Sequence, residues 1–402
     1  MVNVLRKNVY IDTNAFINNN TIINVDLCNI PFTNNSMYNT FYNCRNLAKV
    51  TNISNRVTNM YHTFAFCSKL TTTPLIPNSV SNVVAVCYSC SNLVDAPVIP
   101  NSIDSMSDSF YGCSNLVNAP VIPNSVTNMA YTFSFCYNLV NAPVIPNGVT
   151  NMWNTFDHCD KLLNAPVIPN GVTNMYCTFA YCNSLVDAPN IGNSVISMYQ
   201  TFNHCIQLVN GPIIPNSVNS MDHTFYECYS LINISDIPDS VTEMNGTFRY
   251  CNSLVSAPNI GNNVTRMTNT FYYCSNLVDA PIIPSTVTKL HGVFRYCTNL
   301  TGNIYIYSNQ IINTRNCFNG TSLQKNVYIP FNYANGEYTA TYNSLTGSGY
   351  TTDGSVNGVY LKDLNPLIEV DDEEYTITQD GSTIYLNEYI GTNTTVKVPW
   401  SM

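Results

Sequence analysis

Sixteen cysteines are the first chemistry this sequence offers, because thiols can pair, ligate a metal or attack an electrophile. Twelve of them fall at 44, 67, 90, 113, 136, 159, 182, 205, 228, 251, 274 and 297, each 23 residues after the one before. Cysteines at one repeat position stack as small hydrophobes rather than pairing, so the ladder is expected to be reduced core thiols. Cys28, Cys177 and Cys317 lie off the ladder and are expected to be the reactive ones. Cys87-Tyr88-Ser89-Cys90 has the spacing of a redox pair or half a zinc site, but no second pair is present to complete a site. Cys87 is explained by one replacement in a column that otherwise holds Phe. The histidines His62, His158, His204, His223 and His291 form no His-Glu-x-x-His pattern, and the chain has no Gly-rich phosphate loop and no paired-carboxylate constellation. Neither catalysis, nor a bound metal, nor a cofactor is expected.

The variable residues around each ladder cysteine carry a different chemistry. Taking the cysteine as position 0, the positions −6, −5, −2 and −1 hold Tyr61, Trp153, Tyr176 and Tyr199; His62 and Tyr131; Tyr111, Tyr226 and Tyr272; and further Phe and Tyr residues. Stacked coils turn these into aromatic and imidazole stripes, and Tyr and Trp supply large, rigid, amphipathic contact area. The competing reading is that these rings merely pack over the outside of the coil. Asp95, Asn118, Asn141, Asn164, Asp187, Asn210 and Asn233, at +5, form a polar ladder expected to hydrogen-bond between coils.

What positions these residues is the repeat itself. A fixed period of this length marks a solenoid, in which each unit buries its apolar face only against its neighbours. Leu follows every ladder cysteine by three residues and Ile by nine; Phe precedes it by three except at Cys87, and Met by seven except at Val83 and Leu290. Cys136, Leu139, Ile145, Met152, Phe156 and Phe179 are expected core residues on this basis. In the coil ending at Cys67, apolar Val57, Met60, Phe64 and Cys67 follow steps of 3, 4 and 3, which predict a short helix. The run Leu116 to Pro123 predicts a brief strand that bends at its prolines. The expected architecture is a right-handed α/β solenoid of 23-residue repeats, stacked at about 4.8 Å per coil into a curved body roughly 55 to 60 Å long.

The segmentation expected is a cap over residues 1–36, the solenoid over 37–324, an irregular Gly-, Tyr- and Thr-rich module over 325–368 and a β-hairpin unit over 369–402, with its turn at Asp380-Gly381. Tyr389 to Pro399 is read as a flanking β-segment, and the acidic run Asp371 to Glu374 as a solvated linker.

The unit Cys-x-x-Leu-x-x-Ala-Pro-x-Ile-Pro-Asn-Ser-Val-Thr-x-Met-x-x-Thr-Phe-x-x-Cys resembles the BspA-like leucine-rich repeat of bacterial surface proteins, over about Ile30 to Leu323. It departs from that pattern by one extra strand residue in Ala-Pro-x-Ile and by a Met-to-Phe spacing one residue short, which is similar to a related surface-protein repeat. The resemblance implies adhesion.

Only 10% of residues are charged and the net charge is −9, so the clustered Lys and Arg that nucleic acid requires are missing. No apolar run suits a signal peptide or membrane insertion. The expected function is non-catalytic recognition: a cell-surface glycan or protein is bound, on an extracellular or virion surface. The absence of an export signal favours a phage tail or head appendage, with the C-terminal β unit contacting the virion or sister subunits. The alternative is a scaffold whose stripes contact other subunits.

Overall fold

A computed structural model of the chain describes residues 10–28, 30–321, 325–330, 339–351, 359–363, 375–380 and 383–389. Over the repeats the backbone is a stack of coils, and two ladders of parallel bridges join residues 23 apart. One ladder runs through position −8, as in Asn128–Asn151–Asn174, and the other through +5, as in Asp95–Asn118–Asn141–Asn164.

Between positions −7 and 0 the predicted helix is replaced by paired β-turns. The N–H at −4 donates to the carbonyl at −7, and the cysteine N–H donates to the carbonyl at −3, as in Thr178 to Met175 and Cys182 to Phe179. The third residue of each turn, at −5 and at −1, has positive φ in every coil from Asn39 to Tyr296, for example His62 (52°), Phe66 (61°), Tyr131 (55°) and Phe135 (60°). A left-handed residue at that place is what a type II turn requires, and its recurrence every four residues cannot propagate an α-helix. The alternate N–H groups, at −5, −3 and −1, donate to carbonyls of the following coil, as Phe156 does to Thr178 at 2.9 Å. Successive turns therefore mimic helical spacing while sending half their donors along the stack.

Two buried side chains bind the coils further. From Cys67 onward each ladder cysteine Sγ donates to the carbonyl at −3 of the preceding coil, at 2.9 to 3.2 Å. The buried Thr at −4 donates in the same way to the carbonyl at −7, as in Thr155 to Met129 and Thr178 to Met152, both 2.9 Å. Inside these ladders Cys136, Leu139, Met152, Phe156 and Phe179 are wholly buried, with Ile145 at 6% exposure. The Phe rings stack with centroids 5.5 Å apart for Phe156–Phe179 and 5.6 Å for Phe179–Phe202.

The predicted strand of each coil shrinks to the single bridge at +5. Pro at +7 and +10 lacks an N–H, so the ladder cannot extend through Ala-Pro-x-Ile-Pro. Strands form where two adjacent segments both lack that Pro: β1 (Asn24–Asp26) pairs in parallel with β2 (Lys49–Thr51), and β3 (Ile304–Tyr305) with β4 (Lys325–Ile329), whereas Ser235, flanked by Pro212 and Pro258, forms no strand. Parallel pairing then continues from β4 to β5 (Val359–Asp363). The helix α1 (Ala340–Gly347) lies between them in sequence, its first turn capped by Thr339, whose side chain accepts from the Tyr342 N–H. Strands β6 (Tyr375–Asp380) and β7 (Thr383–Tyr389) pair antiparallel, Asp380 opposite Thr383. The start of the cap, the acidic run at 371–374, the hairpin turn at 381–382 and the segment from 390 to Pro399 lie outside the described residues.

The first coil's core is covered by the segment before it. Phe16 stacks on Phe41 at 5.4 Å, and its carbonyl accepts from the Cys44 Sγ at 2.9 Å.

The expected reactivity of the off-ladder thiols divides. Cys28 is exposed, whereas Cys177 and Cys317 are buried, and burial pushes the Cys177 thiol up to about 12 and the Cys317 thiol well above the ordinary range. The Cys87–Cys90 pair is wholly buried too. A thiol-reactive dye added to the native chain should therefore label Cys28 quickly and leave the other thiols to react only on unfolding; rapid labelling of several would contradict this burial. Phe179→Ala should cost about 3 to 5 kcal/mol by leaving a cavity between Phe156 and Phe202, read from denaturant unfolding. Thr178→Val should cost about 1 kcal/mol, because the Met152 carbonyl keeps its backbone donor from Thr155.

Candidate functional site: an aromatic wall on the turn side

Because both turns of a coil place −6, −5, −2 and −1 on their outward side, the variable residues of successive coils meet there. Ring contacts run unbroken along the stack. Tyr38 stacks on Tyr61 at 5.3 Å, and Tyr61 on His62 at 4.1 Å. His62 reaches Tyr88 at 6.5 Å, and Tyr88 stacks on Tyr111 at 4.5 Å. Tyr111 meets Tyr131 at 6.5 Å, Tyr131 meets Trp153 at 6.1 Å and Trp153 meets Tyr176 edge-on at 5.1 Å. Tyr176 stacks on Tyr199 at 5.0 Å, and the path continues through His223 to Tyr226. From Tyr226 it passes to Tyr250, Tyr272 and Tyr296. A side row of Phe135, His158, Tyr181 and His204 stacks beside it at 4.2 to 4.7 Å. The rings assigned to the stripes from the sequence thus lie on one surface, half-buried except for Tyr38, Trp153 and Tyr273, which are exposed, Trp153 most of all at 41%.

Charge is sparse on this wall. Burial, opposed by Asp108, pushes the His62 imidazole down; burial also pushes His223 down, with Asp222 opposing and Arg249 adding to the shift. Desolvation pushes the Tyr111 phenol up to about 12. His204 Nδ1 lies 2.6 Å from Glu227 Oε2, and His158 Nδ1 lies 2.8 Å from Asp157 Oδ1. Among the described residues no three His, Cys, Asp or Glu converge as a metal ion would need. No helix among them is long and apolar enough to cross a membrane.

The backbone under the wall is costly for its side chains. Left-handed φ suits Gly, Asn and Asp, yet position −1 carries Phe66, Phe135, Tyr181, Tyr250, Tyr273 and Tyr296 there, each at roughly 1 kcal/mol or more of local strain.

Two features escaped the sequence reading. At +8 a row of apolar side chains stands outward: Leu75, Val98, Val121, Val144 and Val167 are 65% to 87% exposed. Val144, Val167 and their proline neighbours line a shallow depression of about 400 Å³. The signal was alternation, since the Ile at +9 points inward and its neighbour must point out. The second feature is a pair of arginines, Arg249 and Arg295, held among the tyrosines at the C-terminal end of the wall. The +5 ladder does hydrogen-bond between coils, Asn233 Nδ2 donating to Asn210 and Asn210 Nδ2 to Asp187, both at 2.6 Å.

The coil geometry and its solved counterparts define a leucine-rich-repeat solenoid. The chain is similar to a leucine-rich repeat protein from Bacteroides ovatus, with 17% identity and a TM-score of 0.52 over 85% of this chain and 92% of that one. It also matches a leucine-rich repeat protein of T. pallidum (28% identity, 40% of this chain, 78% of that one, TM-score 0.36). A third match is a leucine-rich cell surface protein from Faecalibacterium prausnitzii (20% identity, 64% and 87%, TM-score 0.39). No curated protein matches the chain. The family model of the BspA type leucine-rich repeat region matches residues 2–117, 85–209, 177–301 and 221–346, and the chain belongs to that family.

The depressed imidazoles set a pH dependence. Unfolding restores the ordinary value near 6.5, so the unfolded chain binds protons first as pH falls, and stability is lost as pH drops below that value. The thermal midpoint should fall from neutral pH toward pH 5, and the slope should flatten in H62Q/H223Q. An unchanged slope in that variant would remove these histidines as the cause.

Proposed function

We propose that this chain is a non-catalytic recognition protein that binds a cell-surface glycan or protein through the aromatic wall. One observation carries this reading: an unbroken path of partly exposed rings from Tyr38 to Tyr296, several of them on strained backbone. Flat ring faces suit the C–H faces of sugars and the apolar side chains of a protein partner alike, while the phenol hydroxyls supply hydrogen bonds at the margin. The core ladders hold the wall rigid, so little ordering entropy opposes binding. Tyr61, His62, Tyr111, Tyr131, Trp153, Tyr176, Tyr199, Tyr226 and Tyr272 are the proposed contact residues. The setting is an extracellular or virion surface, such as a phage tail or head appendage, with the C-terminal β unit as the attachment piece.

A second reading, a scaffold that assembles with other subunits, is favoured by the outward apolar row from Leu75 to Val167. The two separate by experiment. Purified, labelled chain is expected to bind intact bacterial or epithelial cells saturably, and W153A/Y176A/Y199A to lose that binding while unfolding at an unchanged temperature. Absence of binding to every cell type by folded, monodisperse protein would favour the scaffold.

A further inference from the structure

The sequence Gly-x-Phe-Arg-Tyr-Cys occurs twice, at 246–251 and 292–297, two coils apart. In each copy the glycine at −5 has positive φ (61° and 62°), and the arginine N–H donates back to its carbonyl at 3.2 Å. The arginine side chain therefore leaves the turn beside a residue with no Cβ, where most other coils carry a side chain. The intervening coil contributes Tyr272 at the same position, −2. The Arg249 guanidinium lies 5.5, 5.1 and 4.6 Å from the ring centroids of Tyr226, Tyr250 and Tyr272. The Arg295 guanidinium lies 5.6 and 4.8 Å from those of Tyr272 and Tyr296, so Tyr272 stands between the two cations.

Stacking on rings uses the faces of a guanidinium and leaves its N–H donors, which lie in its plane, for acceptors. Few acceptors are at hand. Arg295 donates to the Tyr296 hydroxyl at 3.2 Å, but the Nε atoms of Arg249 and Arg295 are buried without a partner. Among the described residues the one Arg–carboxylate ion pair is Arg266 with Glu243, so no carboxylate touches Arg249 or Arg295; Asp222 and Glu227 are near Arg249 and share His223 and Tyr226 with it, Glu227 being held by His204. Around Arg295 the surroundings add positive charge: residues 280–336 contain Lys289, Arg295, Arg315 and Lys325 and not one Asp or Glu. Residues 70–248, by contrast, hold Lys161 as their one basic residue, in a chain of net charge −9. Arg315 and Arg295 also press on His291, whose imidazole is pushed down by burial and then by these two cations.

We propose that Arg249 and Arg295, with Tyr226, Tyr250, Tyr272 and Tyr296, form a binding site for an acidic glycan, one whose sugars carry carboxylate or sulfate groups. The proposal rests on the recognition reading above and names the ligand class for one end of the wall. The fit is chemical on both counts. A carboxylate or sulfate accepts two parallel N–H bonds from a guanidinium, and sugar C–H faces lie flat on tyrosine rings. Two coils separate the arginines, about 10 Å along the stack at the usual strand spacing, so two acidic groups along one oligosaccharide can engage both.

The test uses the full chain, with 3′-sialyllactose and a heparin-derived hexasaccharide as acidic probes, lactose and maltohexaose as neutral ones, and a poly-glutamate peptide as competitor. The acidic probes should bind at least about tenfold more tightly than the neutral ones, in keeping with one or more charge-assisted hydrogen bonds. That preference should shrink as salt rises from about 50 to about 300 mM. R249Q/R295Q should abolish it and R249K/R295K should restore part of it; the lysine variant and the salt series keep the test decisive if the glutamine variant fails to fold. Comparable binding of acidic and neutral probes, or an acidic preference that survives in folded R249Q/R295Q, would overturn the proposal. Tight binding of the peptide without the glycans would replace the glycan by an acidic protein segment and also overturn it. Cell binding that needs Trp153, Tyr176 and Tyr199 but ignores the arginines would sink this proposal alone, whereas no binding to any cell or glycan would sink the recognition reading with it.

Discussion

Most coils depend on two carbonyls that are each shared between a turn and the coil beyond it; Val86 and Val293, which stand at −4 in two coils, have no hydroxyl to give, and there the cysteine Sγ bond remains alone. The residue that opens a turn, at −7 or −3, accepts the N–H of the residue three places on, and that same residue in the next coil adds its hydroxyl or thiol to the same oxygen. Both lone pairs of such a buried carbonyl are thereby used, and the buried hydroxyl or thiol finds an acceptor in the same step, each added bond contributing about 1 kcal/mol. The arrangement accounts for Thr or Ser at −4 in ten of the twelve coils and for Cys at 0 in all of them. Thr and Cys fit between stacked Met and Phe side chains and still carry a proton to give; Ala would fit without giving one, and Leu would not fit. It also explains why the thiols stay inert, since burial holds them far from the thiolate, as at Cys159 and Cys182.

From that constraint the local conformation follows. A turn that closes on itself every four residues and donates forward at every second N–H needs a left-handed residue at −5 and −1. The spacing Met60, Phe64, Cys67 looked helical because consecutive turns repeat near the period of an α-helix. Residues tolerant of positive φ at those places, such as Asn39, Asn43, Ser89, Gly112 and Asn154, were the available sign of turns. Aromatic residues in the same column hid it. The core columns were legible without any such help, because Leu at +3 and Phe at −3 are covered by coils on both sides and tolerate few alternatives. The strand was half legible: its position was right, and its length was limited by prolines that remove the donors a longer ladder would use.

The wall was legible residue by residue and not contact by contact. Offsets from the cysteine place Tyr131 and Trp153 on the same side of the stack, but which ring meets which depends on how a −5 or −1 side chain leaves left-handed backbone. Tyr88 and Tyr111 stack face to face at one position, −2, whereas Tyr111 reaches sideways to Tyr131 at −5 and Phe135 at −1 of the next coil. The arginines were invisible for a related reason. A lone Arg at −2 reads as a solvated charge until the glycine beside it and the tyrosines of the flanking coils are seen to enclose it.

A solenoid of this kind converts sequence deviation into position along an axis. Its interior admits almost no change, so the differences between one coil and the next accumulate on the turn side and at +8. Along the turn side the chemistry is graded: rings and imidazoles with interspersed carboxylates (Asp108, Asp157, Asp222 and Glu227) through the middle coils, then stacked guanidiniums toward the C-terminal end. A ligand lying along the stack would meet apolar faces first over most of its length and fixed positive charge at one end. On the proposed reading such a surface would bind by shape through the middle and fix orientation at the end, because only one direction of an asymmetric chain brings acidic groups to Arg249 and Arg295. Polarity of that sort follows from the order of the coils, and reversing two otherwise interchangeable repeats would move the charge without disturbing the core.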